Sequence, residues 1–115
     1  MANQNTLTAS NIRYLLAIKE LDGENGVRCV DIAEALGVSK PSVHNMMDAF
    51  SKMGLVTRDA YSAVSLTEAG RETAERYSRC YRQVSRMLDD SFPGITDISQ
   101  AVCALLTHIP EDSLQ

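Results

Sequence analysis

No stretch of the 115 residues approaches the roughly 18 uninterrupted apolar positions that a membrane helix needs. The opening MANQNTLTASN also lacks the basic-then-apolar layout of a secretory leader. A membrane protein is not expected, and the chain reads as cytoplasmic. Cysteine is scarce: Cys29, Cys80 and Cys103 are an odd number with no CxxC pair, which points to neither a disulfide framework nor a structural zinc site. Small buried hydrophobes are the simpler reading of all three. A glycine-rich phosphate loop is missing, and neither histidine has a nucleophile or carboxylate partner at a recognisable spacing, so an enzyme is not expected. Internal repeats and low-complexity tracts are missing too. The chain lacks an excess of positive charge as well. At a net −4 it is not built to coat nucleic acid indiscriminately, since counterion release rewards Lys and Arg. A local binding site remains open. Arg71, Arg76, Arg79, Arg82 and Arg86 cluster in one stretch, where the solvated face of a long helix explains them more simply than a binding stripe.

What is present suits one compact domain: 44% of residues are apolar and 23% charged, enough for a modest core. Tyr14, Ala17, Ile18 and Leu21 recur at helical spacing from about Thr8 to Leu21, with Thr8 or Ser10 as the cap, and DGENG ends the helix. VDIAEAL at 30–36 forms a second, short helix, with Ile32, Ala33 and Leu36 on one face and Gly37 as a stop that favours a left-handed residue. Only Val38 separates that stop from a third helix with a sharply placed start. Ser39 accepts from a free backbone N–H, and Pro41 sits in the first turn, where its missing N–H is no loss. Val43, Met46, Met47, Phe50 and Met53 then form the buried stripe, and Ser42, His44, Asn45, Asp48 and Lys52 point outward.

Two short helices around a glycine-containing turn, the second opening with small polar residues, form the helix-turn-helix pattern. In that pattern the second helix enters the major groove and its first turns meet base edges. After Gly54, LVTRDAYSAVSLT offers two β-prone runs around a short polar turn, which reads as a hairpin wing. Thr67 caps a long helix from about Glu68 to Leu88, with Ala69, Ala74, Tyr77, Tyr81, Val84 and Leu88 supplying much of its apolar face. SFPGITD breaks it. A last helix, about Ile98 to His108, sets Ile98, Ala101, Val102, Leu105 and Leu106 on one side. The fold class is therefore mainly α: a winged helix-turn-helix of three helices and a β-hairpin over 1–66, then a helical region over 67–115 holding the long helix and a C-terminal dimerisation helix.

VRCVDIAEALGVSKPSVHNMM, GLVTRDAYSAVSLTEAGR and the long helix through CYRQV resemble the diphtheria toxin repressor family, including its manganese-responsive branch. The likeness runs over roughly residues 10–110; DIAEALGVSKPSV is its most specific part, and LTEAG supports it. The resemblance implies a homodimeric, metal-activated transcriptional repressor whose winged helix is followed by helices that bind metal and dimerise. Family recognition residues carry over onto Ser39, Pro41, Ser42, His44 and Asn45. By chemistry, Asn45 suits an adenine edge, Ser42 is adaptable, and Arg28 and Lys40 suit phosphate, with Lys52 on the same outward face. Ser39 would cap the helix in any fold, and His44 and Asn45 also read as ordinary exposed residues. Family wings carry a basic tip, whereas here Ser62 and Ala63 stand there, leaving Arg58 and Tyr61 as the wing's candidates.

The likeness falters at the metal. Family ligands come from the first, fourth and fifth helices, and those places hold Arg13, Gln83, Cys103, Leu106 and Thr107. Only Cys103 is a competent transition-metal ligand, with His108 displaced by one position, and a cation cannot be a ligand. A divalent Mn, Fe or Zn ion is implied by the family, yet most ligands are absent and no cofactor is expected. Arg13 suggests a substitute: a guanidinium at the vacated place can bond helix-end carbonyls or Gln83 and bridge permanently what a metal bridges conditionally. The expected partners are double-stranded DNA and a second copy, paired through Ile98, Val102, Leu105 and Leu106. The competing class is a winged-helix module that binds protein. The acidic balance and thin wing favour it, and a mostly apolar surface on the Ser42–Asn45–Lys52 side would mark it.

Overall fold

The computed structural model describes residues 7–59, 63–110 and 113–114. In chain order it has α1 (Ala9–Leu21), β1 (Val27–Arg28), α2 (Cys29–Leu36), α3 (Lys40–Lys52), β2 (Val56–Arg58), β3 (Ala63–Leu66), α4 (Glu68–Ser91) and α5 (Ile98–Leu106). Two compact units result. Tyr14–Ala74 forms one; Met1–Arg13 with Glu75–Gln115 forms the other. The cuts fall inside α1 and α4, so each of these helices contributes to both units.

In the Tyr14–Ala74 unit, the helix starts and stops follow local chemistry. Gly37 takes up the left-handed conformation, φ 68°, as the cap of α2, which any residue with a Cβ resists. Ser39, extended at φ −79°, caps α3 by accepting from the Ser42 amide at 3.2 Å. Between them α2 buries Ile32 and Ala33, and α3 buries Val43, Met47 and Phe50. Fully burying such side chains contributes about 1.5–3 kcal/mol each, which fixes the rotation of α3 about its axis. The wing is a three-stranded antiparallel sheet of order β1-β3-β2. Its register pairs Val56 with Leu66, Thr57 with Ser65 and Arg58 with Val64, and Val27 with Val64 on the other side. Val27, Val56, Val64 and Leu66 are buried and Thr57 and Ser65 are exposed, so one face of the sheet is apolar.

The start of α4 is clamped to the loop after α3. Thr67 Oγ1 accepts from the Gly70 amide at 2.9 Å, capping the helix, and donates to the Gly54 carbonyl at 2.7 Å. The Thr67 amide donates to the Leu55 carbonyl at 3.0 Å. Gly70 is buried, and a Cβ built on it would lie 2.0 Å from that same carbonyl oxygen.

In the other unit, α1 opens with a reciprocal cap: the Asn11 amide donates to Thr8 Oγ1 at 3.0 Å and the Thr8 amide to Asn11 Oδ1 at 3.1 Å. Leu7, Ile12, Tyr77, Val102, Cys103, Leu106 and Leu114 are buried. Asp97, itself left-handed at φ 49°, caps α5 through its side chain, which accepts from the Gln100 amide.

Several expectations are corrected. The strand β1 has no counterpart in the sequence reading. At two residues it is too short to show a period, and its signal is Gly26, at φ 83°, where a Cβ would meet the Val64 carbonyl at 2.9 Å. The helix α2 begins at Cys29, α4 runs on to Ser91, and α5 stops at Leu106. Leu21 and Met53, placed on buried stripes, are exposed because each lies at a helix end where the stripe runs off the core. Met46 and His44 are both half-buried, and so is Ala17, whereas Leu15 and Ile12 carry the seam of α1. Ala69 is exposed, and Tyr81, Val84 and Leu88 are half-buried.

Candidate nucleic-acid interface

The first turns of α3 present Lys40, Pro41, Ser42 and Asn45 to solvent, with Lys52 exposed at the far end. They stand outward because Val43, Met47 and Phe50 on the opposite stripe are fully buried. Between Lys40 and Lys52 the exposed positions are polar apart from Pro41 and Ala49, and the large apolar Met53 is exposed just beyond. Ser39 and Ser42 are engaged with each other: besides the capping bond, their hydroxyl oxygens lie 2.9 Å apart. Arg28 is exposed, with its backbone in β1 and its extended conformation opening α2.

The wing's cation is placed differently from a free phosphate contact. Arg58 Nη1 donates to Asp48 Oδ1 at 2.6 Å, and Nη2 lies 2.8 Å from His44 Nδ1. Arg58's side chain is 24% exposed and Asp48's 64%, so solvent screens this ion pair in part. β2 is thereby tied to α3 across one helical turn, an arrangement the sequence reading missed. Its signal in the sequence is the i, i+4 spacing of His44 and Asp48, which puts both on one helix face. Tyr61, like the Ser62 of the expected wing tip, lies outside the described residues.

In the unit holding Arg13 and Glu75–Gln115, the places where the resemblance puts metal ligands do not fit a metal. Arg13 and Gln83 are exposed, Leu106 is buried, and Thr107 is occupied in donating to the Ala104 carbonyl at 2.7 Å. Cys103 is buried, and burial pushes its thiol pKa up, with the positive charge of Arg13 acting in the opposite direction. A site that raises a thiol pKa works against the thiolate a metal needs. His108 is exposed. Among the described residues no three His, Cys, Asp or Glu side chains are grouped to hold an ion.

Of the residues expected to pair two copies, Val102 and Leu106 are fully buried within the single chain, Ile98 is half-buried, and Leu105 is 42% exposed. Met87, 64% exposed, and Phe92, 59% exposed, are large apolar side chains of the same unit that the sequence reading did not single out. Among the described residues no helix is long and apolar enough to cross a membrane.

A helix-turn-helix with a three-stranded wing and a polar, outward first turn on its second helix defines a winged-helix DNA-binding domain. Residues 6–64, just over half of the chain, match the family described as iron dependent repressor, N-terminal DNA binding domain, and the chain belongs to that family. No curated protein matches the sequence, but 51 chains of solved structures match the fold. One is the hypothetical protein SSo2273 from Sulfolobus solfataricus, similar at a TM-score of 0.61 with 23% identity over 95% of this chain and 81% of that one. Another is a point mutant of ZitR from Lactococcus lactis, at a TM-score of 0.63 with 19% identity over 91% of this chain and 73% of that one. At these identities the likeness is one of fold.

Proposed function

We propose that this protein is a transcriptional repressor that binds an inverted-repeat operator as a homodimer and does not require a metal for its binding-competent shape. It acts in the cytoplasm, by binding rather than by catalysis. The observation that carries the reading is the first turn of α3, where Lys40, Ser42 and Asn45 stand exposed on a helix whose rotation is locked by Val43, Met47 and Phe50. Asn45 has the donor–acceptor pair that matches an adenine edge in the major groove, and Lys40 suits a phosphate. Membership of the iron-dependent repressor family supports DNA as the partner.

One recognition helix covers too few base pairs for useful specificity, and a two-fold pairing repairs this by setting two half-sites about one DNA turn, roughly 34 Å, apart. Met87, Phe92 and Leu105 support such a pairing, because exposed large apolar side chains on one helical unit are removed from water when two copies meet. Metal independence rests on the residues themselves: a cation, an amide, an aliphatic chain and a buried thiol stand where ligands are needed.

Selection of bound duplexes from a random pool, followed by sedimentation of the free protein and titration with Mn, Fe and Zn ions, tests all three parts. The expected result is a palindromic site, a dimer, and binding unchanged by metal or chelator. A submicromolar stoichiometric metal site with metal-dependent operator binding would remove the metal-free part, and a monomer with full affinity for one half-site would remove the dimer.

A further inference from the structure

The contact between β2 and α3 does more than hold the wing. Arg58 is paired with Val64 across the ladder, and partners directly opposite in an antiparallel pair share a face. Val64 is fully buried, so Arg58 starts from the apolar face of the sheet and extends its guanidinium to the edge of α3. There Nη1 meets Asp48 at 2.6 Å and Nη2 meets His44 Nδ1 at 2.8 Å. A guanidinium has only donors, so a hydrogen bond at this distance requires Nδ1 to be the acceptor. An imidazole that accepts at Nδ1 is neutral and carries its proton on Nε2. The ring is half-buried and adjoins Asn45 in sequence.

We infer that Arg58 is a positioning residue that fixes the tautomer of His44, so that Nε2–H is a committed donor reading an acceptor on a base edge in the major groove. This rests on the DNA-binding reading above. A histidine free to exchange tautomers presents a donor or an acceptor at Nε2 and reads ambiguously. A histidine held by Arg58 presents only the donor. Guanine offers N7 and O6, adenine N7 and thymine O4, whereas cytosine offers only its amino donor. One position of each half-site therefore excludes cytosine on the contacted strand. Asp48 holds the guanidinium in place through the other arm of the fork, which a lysine cannot reproduce because its ammonium has no fork geometry.

The test has two arms. In the free protein, long-range 15N correlations of the two imidazole rings report the tautomer directly, with the exposed His108 as the internal reference. The expected spectrum shows His44 as the Nε2–H form alone, and Arg58→Met releases it to a mixture. A parent spectrum showing a mixture, or the Nδ1–H form, overturns the inference whatever the DNA result.

In the second arm, the parent, His44→Ala and Arg58→Met are each used to select duplexes from a random pool. Depletion of cytosine at one position per half-site is expected in the parent. Both variants should lose that preference at that same position, by roughly tenfold, and His44→Ala with Arg58→Met should lose no more than His44→Ala alone. Should Arg58→Met fail to fold, Arg58→Lys takes its place and is expected to restore the preference only in part. Unchanged preference in a folded Arg58 variant overturns the inference while preferences set by Asn45 leave the repressor reading standing. A parent that selects no duplex overturns both.

Discussion

Replacing Gly70 by alanine tests the clamp between α4 and the loop after α3. The new Cβ would stand 2.0 Å from the Leu55 carbonyl oxygen and 2.9 Å from its carbon. Both are backbone atoms, so no side chain can swing aside, and the peptide itself has to move by more than an ångström. That carbonyl accepts from the Thr67 amide at 3.0 Å, and the neighbouring Gly54 carbonyl accepts from the Thr67 hydroxyl, so the shift strains two bonds together. Overpacking of this kind costs about 1–3 kcal/mol, and a weakened hydrogen bond adds about 1 kcal/mol. Alanine's better helix propensity returns about 1 kcal/mol. The net loss is about 1–3 kcal/mol, a sizeable share of the roughly 5–15 kcal/mol that holds a domain together. Urea unfolding followed by the helical circular dichroism signal measures it, as a lower midpoint at unchanged slope; the melting temperature should fall by roughly 4–20 °C. Gly23, where an added Cβ meets nothing within 4 Å, is the matched control and should tolerate alanine. A Gly70→Ala protein as stable as the parent would refute the close approach.

Asn45→Ala and Ser42→Ala should each weaken specific binding by about 1–3 kcal/mol at one base position without lowering stability, read by duplex titration beside thermal unfolding. Lys40→Ala should weaken all duplexes alike and reduce the slope of log affinity against log salt by about one. Leu105→Glu should leave the chain folded, since that residue is exposed, and should yield a monomer in sedimentation with lost operator affinity. Burial raises the pKa of both Cys29 and Cys103, opposed by the charges of Arg58 and Arg13 respectively. Above the ordinary thiol range the unfolded chain sheds these protons while the folded one keeps them, so stability falls as pH rises there. Urea midpoints measured across the alkaline range check the sign.

The helices were legible because their signals are local. A serine before a proline, a glycine after an apolar run and a stripe at helical spacing each act within one or two turns, and α3 begins with the Ser39 cap and Pro41 in its first turn, as the sequence indicates. Stripes misled most at their ends, where Leu21 and Met53 keep the spacing after the core has run out, while Ala17, Met46, Tyr81 and Val84 inside them are half-buried. The strand β1 was invisible because two residues have no period, and what holds them is β3, far along the chain. The site divides in the same way. Exposure of Lys40, Ser42 and Asn45 follows from the stripe opposite, whereas the engagement of Arg58 depends on the register of the sheet against α3: the i, i+4 spacing puts His44 and Asp48 on one helix face but does not say which strand residue meets them. On α5, the periodicity placed Leu105 and Leu106 on one side, but a helix advances 100° per residue, and that rotation carries Leu105 out of the core that Leu106 completes.

The order of the sheet has a consequence for how the chain reaches its native state. β2 and β3 are neighbours in sequence and pair as a hairpin, an event that closes a short loop on the microsecond scale. β1 joins the opposite edge of β3, and its partners can meet only after α2, α3 and the hairpin between them have been gathered in, so the entropy of that longer closure falls on the last edge to zip. Since Arg28 ends β1 and opens α2, the same late step fixes the start of the helix-turn-helix to the wing. Pulse-labelled hydrogen exchange during refolding should find the β2–β3 amides protected before those between β1 and β3, and a chain caught between the two steps would hold a formed α3 on a domain whose sheet still has an open edge.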